Sequence, residues 1–339
     1  MKTFFSISLF AFILYLAVGF DVNEVEISPS TSLAEVLVQL GDTPVPHLPK
    51  EGDSRISLEA GKNLVLYGNV NGKTSVLNKR QSKHFVCTSC HNVVKDDPDL
   101  SNPNPVDRLE YAKANGIPFL QGTSLYGAVN RTSFYNDDYE KKYGDLVKPA
   151  RNDLREAIQL CAVECSQGRA LKDWEMESVL SYLWSLELKL EDLNITKSEM
   201  AFIKDAVNGK GEKGPMLEYL KKKYPTGAPA HFVDPPPNRN DGIAYKGNPE
   251  NGKWIYELSC QHCHENRRYA HYNLDDSKFT FKHLDRHITR YTRYSIYQVA
   301  RYGTSPKNFK RAYMPQYSKE KMTEEQLEDL RAYIEMRAK

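Results

Sequence analysis

A mainly α-helical chain, built as two small helical domains joined by a proline-rich linker, is the architecture this sequence predicts. Three observations carry that expectation. Apolar residues recur at steps of three and four at Leu154, Ala157, Ile158, Cys161 and Cys165, and again at Leu327, Leu330 and Ile334. The pattern Cys-x-x-Cys-His occurs once in each half of the chain. Between the halves lies a breaker-rich stretch, 224–238, that contains Pro235-Pro236-Pro237 and reads as a semi-rigid spacer. At 339 residues the chain is long enough to bury two modest cores.

The elements follow in order. Lys2 precedes an almost wholly apolar run, 4–18, and Ala17-Val18-Gly19 supplies small residues ahead of the polar Asp21-Val22-Asn23-Glu24. Residues 1–19 therefore read as an export signal; the alternative is an uncleaved anchor, since the run approaches the length that spans a bilayer. The remainder is expected to be periplasmic or otherwise exported, with no stable membrane span after signal cleavage. Residues 20–61 form an acidic, loop-like extension with one short helical pattern at 32–39; from 21 to 59, eight acids face only Lys50 and Arg55. A first domain is expected over 62–191, interrupted by an aromatic, polar loop at 122–148. A helical segment and the linker fill 192–240, opened by a Thr196/Glu199 capping box, and a second domain occupies 241–339. Hydrophobic residues make up 40% and charged residues 27%, which fits a soluble globular protein. The net charge of +2 is too small to draw the chain to nucleic acid.

Six cysteines in an exported chain would ordinarily form a disulfide framework. Their spacing argues otherwise. Cys87-Thr88-Ser89-Cys90-His91 and Cys260-Gln261-His262-Cys263-His264 each place two thiols about one turn apart, where they can add to the two vinyl groups of one haem. His91 and His264 would then lie under the iron as proximal ligands. Two covalently bound haem c groups are thus expected, and with them electron transfer to redox partner proteins such as a small cytochrome or an oxidase. The stretch 265–311 carries eleven Lys/Arg against four acids. It reads as a docking face for an acidic partner, as compensation for haem propionates, or as a solvated face balancing the acidic N-terminal region.

The surroundings of the second motif are informative. Gly252, Lys253 and Tyr256 precede it on a short helix, Tyr313-Met314-Pro315 follows it, and Thr323-Glu324-Glu325-Gln326 caps a terminal helix. This order resembles the small cytochrome c domain. The resemblance implies Met314 as the distal ligand, with a thioether that favours Fe(II) and raises the potential. Alternatives are Met322, one of His271, His283 and His287, or a Met314 that is only a core residue.

No Met-Pro follows the first motif before the linker. Cys161 and Cys165 point inward from one helix that Gly168 ends, and an Asp173 cap opens the next, 174–190. They could be small buried hydrophobes, or one thiolate could bind the first iron; an i,i+4 disulfide within a helix meets the geometry badly. Cys161-Ala-Val-Glu-Cys165-Ser-Gln-Gly168-Arg169, with Glu175-Met176 and Tyr182-Leu183-Trp184-Ser185-Leu186, resembles the first haem domain of diheme thiosulfate dehydrogenases and, more distantly, SoxA-type subunits. The resemblance spans about 85–190. It implies that the Cys seven residues before the Gly, Cys161, is the distal ligand of the first iron. Cys165 occupies a position that usually holds a small non-ligating residue, so it stays as the alternative. The implied reaction joins two thiosulfates into tetrathionate and releases two electrons. A thiosulfate or other anionic sulfur substrate needs positive charge, and Arg131, Arg151, Arg155 and Arg169 are near the relevant segments. Arg169, just after the helix that carries the thiols, is the leading candidate; the alternative is ordinary surface arginines. The competing functions are a plain electron-transfer cytochrome of a respiratory chain and a peroxidase.

Overall fold

The computed structural model describes residues 24–72, 80–305 and 313–339. The expected export signal lies outside them. The described chain is mainly helical, as predicted, with two isolated bridges, Ser32–Lys189 and Thr304–Met314, and no strand among the described residues. No helix there is long and apolar enough to cross a membrane.

The helices start where side chains satisfy free backbone donors. Ser32 accepts from Glu35 N–H at the start of α1 (Leu33–Gln39), and Ser57 accepts from Ala60 N–H at the start of α2 (Leu58–Tyr67). Asn104 caps α3 (Pro105–Asn115), with Pro105 in the first turn where its missing N–H costs nothing. The expected loop 122–148 contains a helix, α4 (Asp137–Tyr143). Asn136 caps it, Asp137, Asp138 and Glu140 face its N-terminal end, and Lys141 and Lys142 its C-terminal end. That charge order complements the helix dipole.

Next come α5 (Leu154–Leu160) and α6 (Asp173–Trp184), where Lys172, not Asp173, is the capping position. α6 stops at Trp184, short of the expected 190. Then follow α7 (Lys197–Val207), opened by the Thr196/Glu199 box, and α8 (Lys213–Lys221). The C-terminal part holds α9 (Pro249–Ile255), α10 (Gln261–His264), α11 (Lys278–Ile288), α12 (Ile296–Tyr302) and α13 (Glu324–Ala338). Thr323 and Gln326 form the predicted capping box of α13.

Apolar side chains gather in three clusters. One joins α2 and α6 through Leu64, Val65, Val179, Leu180 and Leu183. A second packs Leu33, Val36 and Leu37 of the acidic extension against Leu188, Ile203 and Leu220. The third joins Ile255, Tyr256, Phe281, Leu330, Tyr333 and Ile334, and takes in Leu109, Ala112 and Phe119 from the first half of the chain. α9 crosses α13 where Gly252 has no side chain; a Cβ there would sit 1.9 Å from the Asp329 carbonyl oxygen. This crossing sets the direction in which the second motif leaves the helix.

Candidate functional site

The first Cys-x-x-Cys-His segment is a tight turn and the second is the end of a helix. At the first, Cys90 and His91 N–H donate to the Cys87 carbonyl (3.2 and 3.1 Å), and Ser89 Oγ accepts from Val86 N–H. At the second, α9 widens into one π turn, Tyr256–Cys260, and runs into α10. All six cysteines are free thiols. Burial pushes the Cys87 thiol up to about 11 and those of Cys260 and Cys263 up to about 12, so these thiols are neutral.

The two histidines are oriented alike. His91 Nδ1 lies 2.7 Å from the Thr123 carbonyl, and His264 Nδ1 lies 2.9 Å from the Tyr272 carbonyl. A carbonyl can only accept, so Nδ1 carries the proton in both rings and Nε2 presents its lone pair. Burial lowers both imidazole pKa values, which keeps the rings neutral. Gly122 makes the first arrangement possible. A Cβ there would lie 2.4 Å from the Cys90 carbonyl oxygen and 2.7 Å from His91 Nδ1. Two free thiols a turn apart, beside an imidazole held through Nδ1, are the donors that covalent haem requires. Both segments fit it.

The two segments also touch. His262 Nε2 is 3.2 Å from the Thr88 carbonyl oxygen, and Cys263 Sγ is 3.6 Å from that of Ser89. A cleft of about 330 Å³ opens beside this contact, lined by Thr88, His91, Asn92, Pro118 and His262.

Cys161 and Cys165 come to the first segment. They lie on a single π turn, Cys161–Cys165, rather than on the α-helix expected, and Ser166 N–H reaches the Cys161 carbonyl at 2.9 Å. π turns of this kind recur at functional sites. Cys161 donates to Cys165; that bond, with burial, raises the Cys161 thiol well above its ordinary value, and the same bond lowers Cys165 against the effect of burial. Cys87 and Cys90 are close enough to Cys161 to raise it further. The Tyr313 hydroxyl, from the second half of the chain, bonds to Cys165 and to Tyr143. Tyr139 meets Tyr135 edge-on (4.9 Å between centroids), stacks on Tyr143 (6.2 Å) and meets Phe232 edge-on (4.9 Å). α4 is thus an aromatic wall over the two thiols.

The candidate arginines are distributed differently. Arg169 places Nη1 and Nη2 each 2.6 Å from the Glu175 carboxylate. Arg155 makes the same kind of fork with Glu177, and Arg151 meets Asp137 and Glu140. Arg131 is buried and donates to the Ser124 and Tyr126 carbonyls. Met314 is half-buried and bridged through its backbone to Thr304, beside Tyr313. Met322 is packed in the third cluster at 1% exposure. His283 and His287 pack against each other (4.7 Å between centroids), each meets the Tyr294 ring edge-on, and His283 rests against the ring of Tyr272, whose backbone carbonyl accepts from His264 Nδ1. Tyr272 links this cluster to the His264 ring, which it meets edge-on. Sequence reasoning passed over His262, whose partner is distant along the chain, and Tyr313, read only as the neighbour of Met314.

No curated protein and no solved structure matches the chain. Residues 247–334 match the family described as cytochrome c oxidase, cbb3-type, subunit III. The match begins just before α9 and ends within α13, so it takes in the helix crossing, the second Cys-x-x-Cys-His and Met314. Residues 247–334 of this chain are a cytochrome c domain, the kind that binds haem c covalently.

Proposed function

We propose that the chain is an exported electron-transfer cytochrome with two haem c groups, one held by Cys87, Cys90 and His91 and the other by Cys260, Cys263 and His264. One observation carries this reading: the first segment repeats the second, with free thiols a turn apart and an imidazole fixed through Nδ1. Haem c, when bound, supplies a one-electron Fe(III)/Fe(II) couple at each site. Cys161 would supply the sulfur ligand from the protein at the first site and Met314 at the second. An anionic thiolate favours the oxidised form and a thioether the reduced form, so the second site is the electron exit toward a redox partner protein.

At the first site the reading extends to thiosulfate. Two thiosulfate dianions joined by a new S–S bond give tetrathionate and two electrons, one for each site. The Cys161–Cys165 pair beside Cys87 and Cys90, under the wall of α4, supports sulfur chemistry there. The plain electron carrier is favoured by a different observation: Arg151, Arg155 and Arg169 are each already matched by carboxylates.

Mass and pyridine haemochrome of the protein from a host that matures cytochromes c should give two haems per chain; one or none overturns the two-haem reading. Turnover of thiosulfate with ferricyanide above a haem-free control supports the enzyme, and its absence leaves the carrier. In EPR, Cys161→Ala should lose the low-spin thiolate signal and Cys165→Ala should keep it. The reverse assigns the ligand to Cys165.

A further inference from the structure

We propose that His262 holds the two haem-attachment segments in register and so sets the electron bridge between them. The inference rests on the two-haem reading. Attachment chemistry asks nothing of the residues between the cysteines, yet His262 is not idle. Its Nε2–H donates to the Thr88 carbonyl at 3.2 Å, inside the other attachment segment, and its ring leans on Tyr269 with centroids 5.8 Å apart. The next residue, Cys263, brings its sulfur to 3.6 Å from the Ser89 carbonyl oxygen.

These two contacts respond differently to haem attachment. Forming the thioether replaces the Cys263 S–H, so that sulfur loses its donor and keeps only a van der Waals approach to Ser89. The His262 N–H is untouched. Of these two contacts, the hydrogen bond that persists in the loaded protein is therefore that of His262. The contact matters because the Ser89 carbonyl carbon is bonded directly to Cys90 N. From the Cys263 sulfur to the Cys90 sulfur the route has one through-space step, S to O, and otherwise follows covalent bonds. Electronic coupling falls steeply across a through-space gap and gently along bonds, so along this route the single gap governs the coupling. His262 acts through the placement of Cys263 and is a positioning residue.

The test uses the full-length, haem-loaded protein. An electron is delivered by pulsed photoreduction, and its redistribution between the two sites is followed. His262→Leu should slow redistribution by up to about a hundredfold, the order of loss that an ångström-scale misplacement causes where groups must be held in contact. His262→Gln keeps a donor at that position and should recover most of the rate. Both midpoint potentials should stay where they are in the parent, a result that a general loosening of the fold would not give. An unchanged rate in His262→Leu overturns the inference, as does a slowing fully explained by shifted potentials.

If His262→Leu fails to mature, the parent protein decides. The EPR spectrum of the fully oxidised form should depart from the sum of its two single-site spectra, because sites joined through this contact are magnetically coupled. Two haems with strictly additive spectra overturn the bridge and leave the two-haem reading intact; a single haem overturns that reading first.

Discussion

Arg169 shows how one residue's geometry changes its reading. Both of its terminal nitrogens lie 2.6 Å from Glu175, whose side chain is only 4% exposed and also accepts from Lys172 N–H at the mouth of α6. Removing the guanidinium would strand a buried carboxylate at a helix start. Arg169→Ala should lower unfolding stability by about 1–3 kcal/mol in urea titrations, and Arg169→Ala/Glu175→Gln should regain part of the loss. If Arg169→Ala is as stable as the parent, the ion pair is not structural. Local patterns were legible in the sequence: the spacing of Cys87, Cys90, Cys260 and Cys263 and the histidine beside each pair can be read without knowing the fold, and the haem roles proposed for them rest on that spacing. His262 was not, because what it touches lies 174 residues away. Arg169 looked free for the same kind of reason, since a charge in sequence carries no sign of the acid that folding brings to it.

Helix boundaries divide along a similar line. The boxes at Thr196/Glu199 and Thr323/Gln326 could be read in advance because a cap and its reciprocal partner are three residues apart, within one turn. α4 was hidden by its aromatic and polar composition, although Asn136, the acids after it and the lysines before Gly144 carry the same local signal. The π turn at Cys161–Cys165 was not recoverable. Over so few residues a stripe at steps of three and four does not separate a π turn from an α-helix, and the widening is decided by what the turn packs against. The crossing of α9 and α13 lies between these cases: a glycine on a short helix permits close packing against another helix, and only the fold names Asp329 as the neighbour. Gly252→Ala forces a methyl group into a backbone oxygen that cannot swing away. It should cost about 3 kcal/mol or more, read as a lower urea midpoint and reduced haem incorporation at the second site. Tolerance of alanine there would mean that the two helices do not meet this closely.

Taken as a whole, the molecule does not part cleanly between its two halves. Phe119 N–H donates to the Leu258 carbonyl, the Tyr317 hydroxyl reaches Phe119, and Gln326 Nε2 donates to the Pro105 carbonyl at 2.8 Å. Charged groups are buried along the same seam. Arg108, 1% exposed, holds Asp96 at 2.8 Å; burial alone would raise the Asp96 carboxyl, but Arg108 and Lys321 outweigh it and hold it at about 2. Arg108 and Lys321 act on Asp97 as well, but more weakly than its burial. Burial, with Asp96 beside it, raises its carboxyl to about 6. Burial, with Arg108 and Arg131 nearby, lowers Lys321 to about 8.

The signs follow from linkage. A carboxyl raised in the folded state binds its proton more tightly there than in the unfolded chain, so folding is favoured below the ordinary carboxylate range and that advantage is lost as pH rises through about 6. An amine lowered in the folded state is a cost while it stays charged, and the cost is relieved as pH rises from about 8 toward the ordinary lysine value. At neutral pH both groups therefore weigh against the fold, and the seam gives up stability to keep them ionised. Asp97→Asn keeps an acceptor for Asp99 N–H and removes the charge. It should raise unfolding stability at pH 7 by about 2–3 kcal/mol, the free energy of a shift of this size at a buried site. It should also abolish the parent's decline between about pH 4 and 6. Parent and variant should converge near pH 4, where the parent carboxyl is protonated in the folded state. Parallel stability curves across that window would show that Asp97 ionises in contact with water and that the seam is open at this point.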